Sequence, residues 1–338
     1  MSKLIVLEYE HLKSHIKSDI SYDSSLINCI QEKQNALDKN DLKTAGFAAI
    51  GAAESFRRIG NFEKSLEQLK DSIDYFFEIN DCSGMASAFL SKANIARQQC
   101  RYSEAIDLLT SAYSMACNSN YVRCAAYSMA GIAETTRICG NYKLSLRQHL
   151  YALKLFSLLN DMRGVVWAYE GVAQMYKNIG ELHTSLKLFQ EAETIASYIQ
   201  DKRGLAYALK CKGEILGELF LVDDALNCLS NSIIKFKELN YKVGLGYAYK
   251  ALADIYRKTK KYDLALENYE NSFRYFSQMK DYRGIGYVKI GLGKLYAENK
   301  LVEDARHYLF SSKSIFENAH IRLGMTQANN IIFNYSLR

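Results

Sequence analysis

Apolar residues recur along this chain at spacings of three and four. Val165, Ala168, Tyr169, Val172, Ala173 and Tyr176 form one such stretch; Ala265, Leu266, Tyr269, Ser272 and Phe276 form another. On a helix these positions share one side, so each stretch predicts an amphipathic helix with one buried face. The stretches come in pairs, and the pairs repeat every 40 residues. Asp81, Asp161, Asp201 and Asp281 hold one column of this period; Arg163, Arg203 and Arg283 hold another. Every glycine except Gly217 shares its column with another glycine. The main glycine columns are Gly84, Gly164, Gly204, Gly244, Gly284 and Gly324; Gly60, Gly140 and Gly180; and Gly51, Gly131, Gly171 and Gly291. Small residues fill two further columns, from Ser65 to Ala305 and from Ser72 to Ser312, and let neighbouring helices approach closely.

The turns follow the same period. Asn40, Asn80, Asn120, Asn160 and Asn240 stand where a helix should end, and asparagine tolerates the left-handed conformation found there. Asp41, Asp81, Asp161, Asp201 and Asp281 follow as expected N-caps. Gly60, Gly140 and Gly180 suit the turn within each pair; Phe220, Lys260 and Lys300 occupy that place elsewhere, where a short loop is still expected. The 338 residues make eight periods and a remainder of 18. The expected architecture is all-α, a single solenoid of about eight antiparallel hairpins. Residues 1–40 form a degenerate first hairpin, 41–320 form seven repeats, and 321–338 form a capping helix, as an array with exposed ends requires. The apolar Ile331, Ile332 and Phe333 mark that cap for docking on the last pair or on a second molecule, giving a homodimer.

The motif small/Gly–(x)6–Gly–x–aromatic–x–x–Ala/Ser–(x)6–Ala/Ser resembles the tetratricopeptide repeat. Ala173, Tyr176, Gly180, Ser185, Phe189 and Ala192 carry it in one unit; Ala253, Tyr256, Tyr262, Ala265, Tyr269 and Ser272 carry it in another. The resemblance covers nearly the whole chain. It departs from the common version in its period, 40 rather than 34, and in lacking the closing proline. The 40-residue form is similar to Leu-Gly-Asn-type spindle adaptors, kinesin light chains and Rap-type bacterial regulators. It implies a right-handed superhelix whose first helices line a concave groove where ligands lie. Three ladders then face that groove. The first is Phe47, Ser87, Tyr127, Trp167, Tyr207, Tyr247 and Tyr287. The second is Glu54, Asn94, Glu134, Gln174, Glu214, Asp254 and Lys294. The third is Arg57, Arg97, Arg137, Lys177, Gly217, Arg257 and Ala297.

Two readings of these ladders stand side by side. Glutamate and arginine three apart pair with each other, and the aromatics pack against the next unit. Alternatively, aromatics and arginines, the usual energetic centres of interfaces, grip an extended or helical peptide, and Trp167 fluorescence reports it. The arginines of the first three units predict a preference there for an acidic peptide or a carboxylate. The Lys/Asn carboxylate clamp of chaperone-binding relatives has no match: Lys210 and Lys250 are followed by Glu214 and Asp254.

Composition narrows the field. With no proline and 49% hydrophobic residues, disorder and proline-rich linkers are excluded. A net charge of +6, spread among acidic residues, argues against nucleic acid as partner. Eight cysteines without metal-like spacing predict reduced thiols in a cytoplasmic protein, with no secretory leader or membrane span expected. No phosphate loop, nucleophile elbow or dinucleotide turn is present, so no cofactor, metal or catalytic residue is expected. His11 and His15 are spaced as a metal pair, but only Glu8 or Glu10 stands near as a third ligand, and a solvated face is expected. His149 and His307 are expected as ordinary hydrogen-bonded histidines in core or convex columns. The function expected is a non-enzymatic scaffold for a protein or peptide. A bacterial peptide-sensing regulator is the alternative, and an accessory protein or unusual enzyme with a groove site for a small metabolite is a third.

Overall fold

A computed structural model describes residues 21–335. His11, His15 and the first half of the expected N-terminal hairpin lie outside them. The described residues form sixteen α-helices and no strand. They are α1 (Tyr22–Leu37), α2 (Leu42–Ile59), α3 (Phe62–Glu78), α4 (Cys82–Gln98), α5 (Tyr102–Asn118), α6 (Val122–Ile138), α7 (Tyr142–Leu158), α8 (Met162–Asn178), α9 (Leu182–Tyr198), α10 (Lys202–Glu218), α11 (Val222–Glu238), α12 (Lys242–Lys258), α13 (Tyr262–Gln278), α14 (Tyr282–Glu298), α15 (Val302–Asn318) and α16 (Arg322–Asn334). Consecutive helices pack as antiparallel pairs, an all-α solenoid of hairpins. Among them no helix is long and apolar enough to cross a membrane.

Every turn is closed by one left-handed residue, as a helix C-terminus favours. Between hairpins it is asparagine at 40, 80, 120, 160 and 240, with φ of 50–56°. Within hairpins Gly60, Gly140 and Gly180 take it at φ near 90°, and Phe220, Lys260 and Lys300 take it without glycine at φ of 60–62°. The aspartates that follow cap as expected at 41, 81, 161 and 281, where the side chain accepts a backbone N–H of the next turn. Asp201 does not: its carboxylate makes no cap hydrogen bond. It lies buried within the field of Arg203 instead.

The repeated columns mesh across helices. Ser65, Ser145 and Ser185 donate to the carbonyls of Ala53, Ala133 and Ala173 in the preceding helix, at 2.6–2.8 Å. Gly164 exists to seat a ring: a Cβ there would come within 2.0 Å of Phe156.

One core column runs Leu69, Leu109, His149, Phe189, Leu229, Tyr269 and Leu309, all buried. His149 is 0% exposed and neither ring nitrogen has a hydrogen-bond partner. Burial lowers its pKa to about 4, against a pull upward from Glu134, with Arg137 and Arg97 adding to the depression. Neutral imidazole is therefore the folded form, whereas the unfolded chain takes up a proton near pH 6.5. Between those values the unfolded state binds more protons, so stability falls on acidification, by up to about 3 kcal/mol. His149→Leu, the residue used elsewhere in the column, is expected to remove that slope. Urea unfolding of both proteins from pH 7.5 to 4.5 checks it; parallel curves would refute the assignment.

The array also closes on itself. The amide of Tyr22 donates to the carbonyl of Leu239 at 3.2 Å, and Asn240 donates to Asp23 at 2.7 Å. Tyr22 meets Tyr241 edge to face at 5.6 Å. Gly60 lies against Met279, whose sulfur is 2.6 Å from where a Cβ would stand. Tyr102 and Ile138 join one apolar cluster with Phe316, Ile321 and Ile331. Early hairpins thus touch chain roughly 220 residues further on, which makes a compact turn rather than an open spiral.

Candidate inner-face site

The first-ladder aromatics sit on the floor of the inner face, because phenylalanines from the paired helices rise beneath them. Phe47 meets Phe76 at 5.0 Å, Tyr127 meets Phe156 at 4.8 Å, and Tyr207 meets Phe236 at 5.2 Å. Tyr247 and Tyr287 repeat the arrangement with Phe276 and Phe316. Trp167 stacks on Tyr127 at 5.8 Å. The hydroxyls reach sideways to the next unit: Tyr127 to Asp161 and Tyr247 to Asp281, each at 3.4 Å, and Tyr207 to Tyr241 at 3.2 Å. Edge-to-face pairs of this kind add to apolar burial. Phe47 is buried and the other five are half-buried, so their rings act chiefly as packing.

The second and third ladders hold one another. Arg57 donates to Glu54 at 2.7 Å and to Gln98 of the next unit at 2.9 Å. Arg137 forms a two-pronged pair with Glu134, and Arg97 donates to Asn94 at 3.0 Å. Burial opposes ionisation of Glu54 and Glu134, but the adjacent arginines win and hold both carboxyls at about 2. Further on, pairing crosses between units. Lys177 bonds Glu214 at 2.8 Å, Lys210 bonds the same carboxylate at 3.1 Å, and Arg257 pairs with Glu298. Lys250 and Tyr269 both donate to Asp254, at 2.6 Å each. Gln174 reaches the sulfur of Cys211 at 3.1 Å. The expected preference of the first three units for an acidic partner finds no support in these contacts: Arg57 and Arg137 already have carboxylates, and that stretch is packed against the later turn.

The inner face opens at its C-terminal end. A pocket of about 450 Å³ is bordered by α8, α10, α12, α14 and α16. Lys177, Lys250, Arg257, Lys258 and Lys294 bring cations, and Glu214, Glu218 and Asp254 bring acids. Ala251, Ile255, Ile290, Gly291 and Ile331 form its apolar wall, with Tyr287, Gln327 and Asn330 at the edge. Lys294 stands where earlier units carry an acid or amide, and it makes no hydrogen bond or ion pair among the described residues. Burial, with Arg257 and Lys250 near, holds its ammonium below the usual lysine range. Of the sequence-derived ladder positions, Lys177, Glu214, Gly217, Asp254, Arg257, Tyr287 and Lys294 line this pocket; Trp167, Gln174, Tyr207, Tyr247 and the N-terminal ladder residues do not. Gln327 and Asn330 come from the capping helix and were not anticipated; Ile331, marked from the sequence for docking, packs with Phe316 and Ile321 and also lines the pocket. The signal was present, since Gln327 stands in register with Tyr287.

The tetratricopeptide-repeat family model matches residues 50–120. That match and the fold support a tetratricopeptide-type helical repeat. Solved structures share its fold at low identity. A Rap protein complexed with competence and sporulation factor is 14% identical, with 99% of this chain and 98% of that one covered and a TM-score of 0.65. The Rap conjugation gene regulator of plasmid pLS20, in complex with the Phr* peptide, is 13% identical over 87% and 77%, with a TM-score of 0.65. The APC/C hetero-tetramer Cut9–Hcn1 gives 16% over 99% and 55%, with a TM-score of 0.64. No curated protein matches the chain by sequence. Within the tetratricopeptide fold, these likenesses speak to architecture; the pocket's chemistry is this chain's own.

Proposed function

We propose that this chain is a non-enzymatic, cytoplasmic scaffold, a single repeat array that binds a protein or peptide segment in the open C-terminal pocket of its inner face. The observation that carries the proposal is the mixed lining of that pocket. Five cations against three acids, two of the cations, Lys258 and Lys294, without a hydrogen bond or ion pair among the described residues, and an apolar wall together suit a segment that offers a carboxylate and one apolar side chain. The similar folds solved with competence and sporulation factor and with the Phr* peptide support a peptide as the occupant. Selection from a displayed random-peptide library on the full chain tests this. Peptides rich in Asp or Glu beside an apolar residue are expected, with at least about tenfold weaker binding to Lys294→Glu at unchanged melting temperature. Failure to select any peptide, or binding indifferent to Lys294, Lys250 and Arg257, contradicts it.

A second reading, a peptide-sensing regulator, draws on the closed turn. A ligand that wedges between α12 and α16 would act on the same hairpins that hold Gly60 and Tyr22. An enzyme is less well supported: Glu170 and His149, whose ionisation is displaced toward neutrality or below it, do not line the pocket.

A further inference from the structure

The odd-numbered helices are the outer members of their hairpins, and the outward face of α7 departs from the rest. Leu144, Leu150, Tyr151 and Leu158 stand on it, 42–71% exposed. Lys143, Arg147 and Lys154 are exposed among them and form no ion pair among the described residues. The helix carries no acidic residue. At spacings of three, four and seven these side chains share one side of the helix. The place of Tyr151 is polar in every other described outer helix, from Gln31 to Ser311. A continuous apolar and cationic strip of this kind marks an interaction surface. One other outer helix answers it. The place of Leu144 is apolar again only in α13, at Leu264, and is polar in the remaining described outer helices. Leu264 and Phe273 are 41% and 39% exposed there. Asp263, Glu267 and Glu270 are exposed beside them, and none forms an ion pair or hydrogen bond among the described residues. Arg274, the one cation of α13, donates to Asn271 at 2.8 Å and lies over the Tyr275 ring. Asp263 stands at the level of Lys143, and Glu267 at the level of Arg147, three periods away. Both faces look outward, so they cannot meet within one molecule.

We propose that a second copy of this chain covers the α7 face and seats its α13 there. The contact joins two different surfaces, so each pair of copies leaves one α7 and one α13 free, and the assembly continues into a ring or a chain. Apolar side chains supply the centre of the contact. Opposite charges set its orientation and disfavour the like-charged pairings of α7 on α7 and α13 on α13. An anionic lipid surface would answer the cations and leucines of α7, but it gives no account of the matching Leu264 and the unpaired acids of α13. None of these residues lines the C-terminal pocket.

Sedimentation velocity on the full chain, over a concentration series at low and high salt, tests it. The average mass is expected to rise with concentration at low salt and to fall back in about 0.5 M chloride. Lys143→Glu with Arg147→Glu should weaken self-association at least about tenfold at an unchanged melting temperature, and so should Asp263→Lys with Glu267→Lys. Mixing the two variants should restore it, because the acidic α7 of one then meets the basic α13 of the other, and their two native faces meet likewise. Misfolding cannot produce that recovery. A chain that stays monomeric, association that survives either pair of reversals, or a mixture that fails to recover it overturns the proposal. So does a monomer that floats with phosphatidylserine vesicles and loses them with the α7 reversals, which would assign the face to lipid.

Discussion

Met279→Glu is expected to open the closed turn and cost the protein at least about 3 kcal/mol. Met279 ends α13, is 0% exposed, and lies against Gly60 at the end of α2. It belongs to an apolar cluster that gathers Tyr22 and Ile59 from the first hairpins with Leu239, Tyr241 and Ile255. A carboxylate in that seam would stand among apolar side chains, where Arg58, over the Tyr22 ring, is already held by Glu54. It would either be buried unpaired or force the two turns apart. Separation exposes the Tyr22–Tyr241 pair and the Asn240–Asp23 hydrogen bond to water. The radius of gyration from small-angle scattering should then rise, and the urea midpoint should fall. Met279→Leu keeps the volume and should cost less than about 1.5 kcal/mol with an unchanged radius. If the glutamate and leucine variants scatter alike, the two turns are not held together at this seam.

Glu170 supplies the second large effect, with the opposite pH dependence from His149. It lies on the inner side of α8, in register with Lys210 and Lys250. Its Oε1 is buried without a hydrogen-bond partner. Burial raises its pKa to about 8, more than Arg203 nearby can offset, with Asp201 adding to the rise. The folded protein thus keeps a proton that the unfolded chain releases near pH 4.5. The associated stability is present in full below pH 4.5 and is lost as pH rises through 8. The total lost is about 5 kcal/mol at most. Glu170→Gln keeps the neutral shape, so its stability should stay level where the wild type declines. Denaturant melts at pH 5 and pH 9 measure the difference. A wild type whose stability is equal at the two pH values, after allowing for the other groups, would show that Glu170 is ionised and paired.

The period, the hairpins and the turn chemistry were legible because each is local. Asn40 or Asn160 ends a helix through its own backbone preference, and a neighbour forty residues away repeats the reason. Asp201 shows where local reasoning stops: it has the sequence of a cap, but Arg203 and the buried setting draw its carboxylate elsewhere. The period places the ladder positions on the first helix of each hairpin, but it does not say what each side chain touches. Tyr127 and Tyr247 look like groove anchors until Phe156 and Phe276 rise beneath them. The closed turn was invisible, because it sums small rotations between many units before Tyr22 meets Tyr241. The pocket's last wall needs no such closure: α16 packs beside α14 as each inner helix packs beside the next, and Gln327 stands in register with Tyr287.

Hydrogen–deuterium exchange of the full chain, with and without a selected peptide, tests the central claim most directly: the inner face takes its ligand at the C-terminal pocket. Slowed exchange is expected in α12, α14 and α16, around Lys250–Lys258, Tyr287–Lys294 and Gln327–Ile331, with α2 and α4 unchanged. Protection confined to α2, α4 and α6, or to the outer helices of the hairpins, would contradict it.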